Sequence, residues 1–334
     1  MTFTLGMLGM RHTHAHGLVR QIAAHPSEFR LVGAYDPDGE TAADRAQTWR
    51  QLLPELQLFA SPQELLNEPL DGVLVEGHLH ENVSWAKSAI ERDRPVLLEK
   101  PAGTDWSSYV ELVDLAQARS RHLQMAYLFR YMSAVLEMLR LGREGELGEI
   151  YEFRARMPKD AALYDTYVEE YGPYTGGIFF EMAGHLIDMM VAMLGSPHQV
   201  SSFLAHHHPA PGDFIDDGLA VFEYPRARGI VEVTALEPID AARRIEVYGT
   251  RGACAIPHLG SGHLANATTQ PLDVCLAGES TWQRLELPAA TLQIADLREF
   301  AACVRSGKQP DYSLEHDMTV QEMLLRACGV EVDR

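Results

Sequence analysis

Within the first 125 residues, short apolar runs alternate with stretches whose apolar residues recur every three or four positions. Residues 2–9, 31–35, 72–75, 95–98 and 123–129 are runs of the first kind. An apolar run of four to eight residues suits a strand buried on both faces of a sheet. Between the first two runs, Ala15, Leu18, Val19 and Ile22 share one helical face. Further helices are expected over 41–53, after residue 61, over 82–92 and over 104–118. Ser61-Pro62-Gln63-Glu64 is a capping-box signature with proline at the first helical position. Thr104 is the expected cap of the last helix. Alternation of this kind predicts an α/β fold built on a doubly wound parallel sheet.

After about residue 125 the pattern changes. A helix is expected over 131–141 and a strand over 150–157. The tyrosine-rich stretch 164–174 reads as a loop. A helix begins near Gly176 and stops at Gly195, with Pro197 beyond it. Strands are then expected over 200–206, 218–224, 229–235, 243–248, 254–256, 272–276 and 282–287. Helices over 294–304 and 314–328 close the chain. With 334 residues and about 150 per domain as a prior, the reading is two domains. Residues 1–125 form the first. Residues 126–334 form the second, an α+β domain with a large open, mostly antiparallel sheet.

Charge and cysteine usage narrow the partners. The formal net charge of -19 argues against nucleic acid and anionic membrane. Cys254, Cys275, Cys303 and Cys328 have no metal-like or redox-like spacing, which suits the reduced thiols of a cytoplasmic protein. The first residues lack the charged region of a signal peptide, and no apolar run reaches about 18 residues, so no membrane span is expected.

Three segments carry chemistry. In the helix after Gly176, Glu181, His185 and Asp188 fall on one polar stripe, beside Met182, Leu186, Met189 and Met193 on an apolar arc. Such groups are unfavourable to bury unless paired or used. A plain Glu–His pair facing water is the alternative. Glu99-Lys100-Pro101 directly follows a core strand, at the end where ligands bind in such sheets. A surface lysine paired with an acid is the alternative for Lys100. The first strand leads through Gly9-Met10-Arg11-His12-Thr13-His14, which keeps only the first glycine of the dinucleotide fingerprint. Arg11 can contact a phosphate there, although an exposed turn arginine fits equally. Asp36 closes the second strand and can accept hydrogen bonds from ribose hydroxyls. It repels a 2′-phosphate, and no Arg or Lys occupies 37–40, which favours NAD over NADP. Tyr164, Tyr167, Tyr171 and Tyr174 line either a sugar site or a packed surface loop.

These segments together resemble the Gfo/Idh/MocA oxidoreductase family (glucose–fructose oxidoreductase, inositol dehydrogenase, rhizopine catabolism). The likeness also includes His80 before the Glu-Lys-Pro motif, Phe129-Arg130, and the stretches 145–150, 176–188 and 245–252. It implies an N-terminal Rossmann domain that binds NAD(P), followed by an open-faced α/β domain. It implies hydride transfer to or from a hydroxyl or carbonyl carbon of a sugar, polyol or similar small molecule. By the same resemblance the catalytic residues are Lys100, His185 and Glu181. Cofactor contacts fall on Gly9, Met10, Arg11, His12, Asp36, Ser61, Glu76, Gly77, His80, Glu99, Lys100 and Arg130. Substrate contacts fall on Lys100, Asp188, His185 and Tyr164. The chain departs from the family pattern in three places. The acid of the helix is Glu181 rather than Asp, Val75-Glu76-Gly77 replaces Thr-Pro-Asn, and histidines replace the glycine-rich loop.

His185 suits proton acceptance because imidazole can be neutral near pH 7. Lys100 can polarise the substrate oxygen or, with its pKa depressed by burial, take the proton itself. The sequence leaves both open. Fold analogy gives a homodimer or homotetramer joined through the open sheet. Two other functions compete. His12-Thr13-His14 resembles the His-x-His metal pair of amidohydrolases, a metal-dependent hydrolase reading. The same fold could also bind NAD as a sensor or a redox-assisted lyase.

Overall fold

The computed structural model describes residues 1–238, 243–260 and 268–333. They form two compact units, Met1–Tyr127 with Thr291–Leu314, and Leu128–Ala290 with Glu315–Arg334.

The first unit follows the expected alternation: β1 (Phe3–Leu8), α1 (Thr13–Ala24), β2 (Phe29–Tyr35), α2 (Gly39–Trp49), β3 (Gln57–Leu58), α3 (Pro62–Asn67), β4 (Gly72–Val75), α4 (Leu79–Glu91), β5 (Val96–Leu98), α5 (Trp106–Ala118) and β6 (Leu123–Met125). The six strands are parallel, in the order β3-β2-β1-β4-β5-β6. Every residue of β4, β5 and β6 is buried, as continuous apolar runs require when helices cover both faces. Leu8 pairs with Tyr35 and Val75, and Val75 pairs with Leu98. The C-terminal ends of four strands therefore lie in register along one edge. The strand order reverses between β1 and β4, the place where doubly wound sheets take their ligands. Thr104 does not cap α5. Asp105 does, its carboxylate accepting from the Ser108 N–H at 3.1 Å.

In the second unit a 3₁₀ turn (Leu128–Tyr131) leads to α6 (Ser133–Arg143), β7 (Ile150–Asp160), α7 (Tyr164–Tyr171), α8 (Gly177–Leu194), β8 (Gln199–Ala205), β9 (Asp217–Glu223), β10 (Arg228–Glu237), β11 (Arg244–Gly249), β12 (Gly252–Ile256), β13 (Thr269–Leu276) and β14 (Gln283–Pro288). The sheet order is β14-β13-β12-β11-β7-β10-β9-β8. All its pairings are antiparallel except β10 with β7. The stretch expected as a loop is the helix α7, because Tyr164 and Tyr167, three residues apart, share a buried face.

The apolar helix α8 lies against β10 and β7. It was expected to bury one arc. Instead every residue from Gly177 to Val191 is buried. Its 18 residues have a mean hydropathy of 1.5, long and apolar enough to cross a membrane by length and composition. Yet 83% of that window is buried inside the protein, which makes α8 a core helix.

Two helices follow β14: α9 (Leu292–Ser306) and α10 (Leu314–Ala327). A continuous second domain over 126–334 does not describe α9, which returns to the first unit. Its Phe300 ring meets Phe3 edge-on at 5.8 Å. A Cβ on Gly72 would come within 2.5 Å of that ring. The apolar face of α9 thus completes the core beneath β1 and β4.

Candidate functional site

Four loops leave the C-terminal edge of the first unit's sheet. The first turns at Gly9, whose φ is +83° and whose missing Cβ would stand 2.3 Å from the Gly77 Cα. Only glycine meets both conditions. Behind it, Asp36 is buried at the end of β2. Its Oδ2 accepts from the Met10 N–H at 2.8 Å and its Oδ1 from the Asp38 N–H at 3.0 Å. Each oxygen retains a second lone pair, so ribose contacts remain available to it. Arg11 reaches across to Asp38 at 2.7 Å, with both side chains exposed. The Thr41 hydroxyl, and then Arg11, hold the Asp38 carboxyl down at about 2. A cation therefore stands near the end of β2 after all, supplied by the first loop rather than by residues 37–40.

The loops after β4 and β5 bring buried acids. Glu76 and Glu99 are 0% exposed and Lys100 1%. His12 starts α1, its N–H donating to the Glu76 carbonyl at 3.1 Å. His12 Nδ1 accepts from the His14 N–H at 3.3 Å, and His14 Nδ1 lies 3.0 Å from Glu99 Oε2. Burial, with the nearby Glu99 charge adding to it, pushes the Glu76 carboxyl up to about 8. Burial also pushes Glu99 up, but the His12 and His14 charges outweigh it and hold its carboxyl below the usual range. Desolvation lowers the His14 imidazole despite Glu99. The Lys100–Pro101 peptide is cis. The Gly77 N–H donates to Asn82 Oδ1 at 2.9 Å, and His80 stacks on His78. Ser61 caps α3 through the Glu64 N–H at 3.2 Å, and Glu64 returns to the Ala60 N–H.

The second unit holds the remaining expected residues. Glu181 and His185, one turn apart on α8, are each 4% exposed, so a pair facing water is excluded. The His185 ring sits 4.7 Å from that of Phe129. Arg130 and Asp188, expected to contact cofactor and substrate, grip one another. Arg130 Nε lies 3.1 and 3.0 Å from the two Asp188 oxygens, and Nη2 lies 2.6 Å from Oδ1. Asp317 takes a further bond from Nη2, and His316 Nε2 lies 2.8 Å from Asp188 Oδ1. Burial opposes ionisation of Asp188, but Arg130 and His316 hold its carboxyl low. For Asp317 burial wins and the carboxyl rises. Sequence reasoning missed His316 and Asp317. The available signal was an acid at 317 on the same helical face as Val320 and Leu324, all three buried. Tyr164 is an anchor: its hydroxyl donates to buried Asp216 at 2.8 Å, and its ring stacks on His208.

The first unit's edge fits the adenosine half of a dinucleotide. The strand order reverses there, Gly9 keeps the turn low, α1 begins directly behind it and Asp36 closes β2. The hydrolase reading expects a closed barrel, whereas this sheet is open.

Comparison with known proteins agrees. Residues 3–127 match the oxidoreductase family with an NAD-binding Rossmann fold, and residues 135–255 match the GFO/IDH/MocA C-terminal domain. The uncharacterized oxidoreductase YdgJ of Escherichia coli (strain K12) is 30% identical over 251 residues, 75% of this chain and 69% of that protein. The scyllo-inositol 2-dehydrogenase (NAD(+)) of Bacillus subtilis (strain 168) is 23% identical over 316 residues, 92% and 86% of the two chains. A Desulfitobacterium hafniense structure, named as an NADPH-dependent oxidoreductase, superposes with a TM-score of 0.85 at 14% identity, covering 98% and 95%. The chain belongs to the Gfo/Idh/MocA family of oxidoreductases, and its first unit carries that family's NAD-binding Rossmann fold.

Proposed function

We propose that this protein is an NAD-dependent dehydrogenase or reductase acting on a hydroxyl or carbonyl carbon of a sugar, polyol or similar small molecule. The observation that carries the reading is Lys100. It is 1% exposed at the C-terminal end of a central strand, beside the edge that fits a dinucleotide. When bound, the nicotinamide supplies or accepts the hydride. Gly9, Asp36 and the start of α1 hold the cofactor, with Met10, Arg11, His12, Glu76, Gly77 and His80 around it. Lys100 donates to the substrate oxygen and stabilises charge developing on it. His185 exchanges the hydroxyl proton, and Glu181 orients it or binds a second hydroxyl. A relative named for scyllo-inositol and NAD(+) supports this substrate class.

Asp36 favours NAD. Arg11 beside Asp38 is the group that could receive a 2′-phosphate, and a relative named for NADPH keeps that comparison necessary. KM values clearly lower for NADP would reverse the preference. The decisive experiment is a panel of sugars, polyols and hydroxy acids followed by NADH absorbance, with Lys100→Met alongside. The variant is expected to keep NAD binding and lose turnover, and near-normal kcat in it defeats the assignment. Cofactor that copurifies tightly with no net NADH from any substrate moves the function to a sensor or a redox-assisted lyase.

A homodimer or homotetramer completes the reading. Phe203, Leu219, Val221 and Ile230 alternate with buried Gly218, Ala220, Phe222 and Val231, and so point away from α8. Phe203 is 70% exposed, an apolar element suited to a second copy. Light scattering that returns a monomer removes this part. The four free thiols suit the cytoplasm, and the acidic surface disfavours nucleic acid and membrane as partners.

A further inference from the structure

Three strand-end loops of the first unit deliver two imidazoles and two carboxylates to one place. We propose that His12, His14 and Glu99, with Glu76 as fourth donor, bind a borderline divalent transition-metal cation such as zinc. The site shares His12 and Glu76 with the proposed cofactor edge, but its test reads zinc alone and does not rest on the redox reading. The ligand atoms of His12, His14 and Glu99 all lie within 4.8 Å of one another. Glu99 Oε2 is 3.0 Å from His14 Nδ1 and 3.6 Å from His12 Nδ1, and Glu76 Oε2 is 3.7 Å from His12 Nδ1. Tetrahedral zinc with bonds near 2 Å places its donors about 3.3 Å apart, so these separations bracket the requirement.

The donor set selects the metal class. Calcium and magnesium take oxygen ligands, whereas imidazole nitrogen with carboxylate oxygen suits zinc and its neighbours. His12 Nδ1 accepts a long bond from the His14 N–H at 3.3 Å, so it is unprotonated, and a cation would take its one lone pair in place of that bond. The independent observation is Glu76. It is fully buried, neither carboxylate oxygen has a hydrogen-bond partner, and Oε2 faces His12. A buried carboxylate with no better answer than a histidine 3.7 Å away calls for a proton or a cation.

The sequence points the same way. His12 and His14 stand in the loop where the dinucleotide fingerprint has glycines, and Glu76 stands in the segment that replaces Thr-Pro-Asn. The changed loops meet around one acid. The second group with metal-like spacing, Asp188, His316 and Asp317, already contains the Arg130 guanidinium, so its charge is answered.

The test uses the full chain purified without a histidine tag and stripped with a chelator. Zinc is titrated by calorimetry, metal content is measured after gel filtration, and melting is recorded with and without zinc. The expected result is about one zinc per chain with a raised Tm, because the cation ties three loops together. Glu76→Gln and His14→Gln should each weaken zinc by about tenfold or more, while His316→Gln keeps the parent affinity. Substoichiometric zinc in the parent, undiminished affinity in Glu76→Gln, or loss confined to His316→Gln overturns the proposal. Glu76→Gln is nearly isosteric, so it decides the matter even where His14→Gln does not fold.

Discussion

Each unit buries a cluster of ionisable side chains drawn from distant segments, and the two are balanced differently. In the second unit a guanidinium meets Asp188 through two nitrogens and also reaches Asp317, with His316 completing the set. Every formal charge there has an opposite within bonding distance. In the first unit two fully buried carboxylates, Glu76 and Glu99, share a neighbourhood with two imidazoles. Imidazoles carry charge only when protonated, and desolvation disfavours that form in His14. The first cluster therefore leans largely on imidazoles for its positive charge, with Lys100 beside Glu99, while the second is built around a bidentate arginine. The difference teaches that burial of charge alone does not mark a site: what distinguishes the first cluster is a carboxylate, Glu76, whose oxygens accept no hydrogen bond.

The comparison is broken most severely by Asp188→Ala, which takes from Arg130 its two-nitrogen partner and leaves it Asp317 alone. Removing one partner of a buried pair costs about 3–5 kcal/mol. The expected result is a Tm lower by about ten degrees, read by calorimetry, and a stability close to the parent's would refute the pairing as a structural element. Next in size is His185→Asn, expected to lower kcat by about a hundredfold or more. A kcat close to the parent's takes proton exchange away from His185.

The first cluster is sharpened by a pH series on metal-stripped protein. Glu76 is raised from 4.5 to about 8, so the folded state holds a proton that the unfolded chain has released. The folded state binds more protons across that window, and stability falls as pH rises through it. His14, lowered from 6.5, acts with the opposite sign but only below 6.5. Glu99, lowered from 4.5, acts only below 4.5. Above 6.5 His206, raised by its bonds to the Ala210 and Phe214 carbonyls, adds a slope of the same sign, so Glu76 is read from the difference between parent and Glu76→Gln. That difference should be at most about 1.4 kcal/mol per pH unit, with Glu76→Gln the flatter. Equal slopes in both proteins would remove Glu76 from the account. The smallest effect belongs to Arg11→Ala. Its ion pair with Asp38 is exposed, so Tm should not move, while affinity for NADP should drop more than affinity for NAD. Equal changes for both cofactors would show that Arg11 stays clear of the 2′ position.

What the chain order revealed was local. Apolar runs separated by amphipathic stretches marked β1 to β6 and their helices, because strand and helix periods are set by neighbours in sequence. Gly9 was legible because a strand-to-helix turn demands positive φ. Lys100 was legible because it directly follows an apolar strand. The helix α7 was missed, since a tyrosine-rich polar stretch becomes helical only when Tyr164 and Tyr167 find a core to enter. The return of α9 to the first sheet was decided by where Phe3 and Gly72 leave room for Phe300. The sequence alone determined which residues end strands and which stripe a helix. Tertiary packing alone decided their partners. Asp188 meets Arg130 and His316 across 58 and 128 residues, and Glu99 meets His14 across 85. Such pairings depend on how elements far apart in the chain stack, and no short-range pattern encodes them.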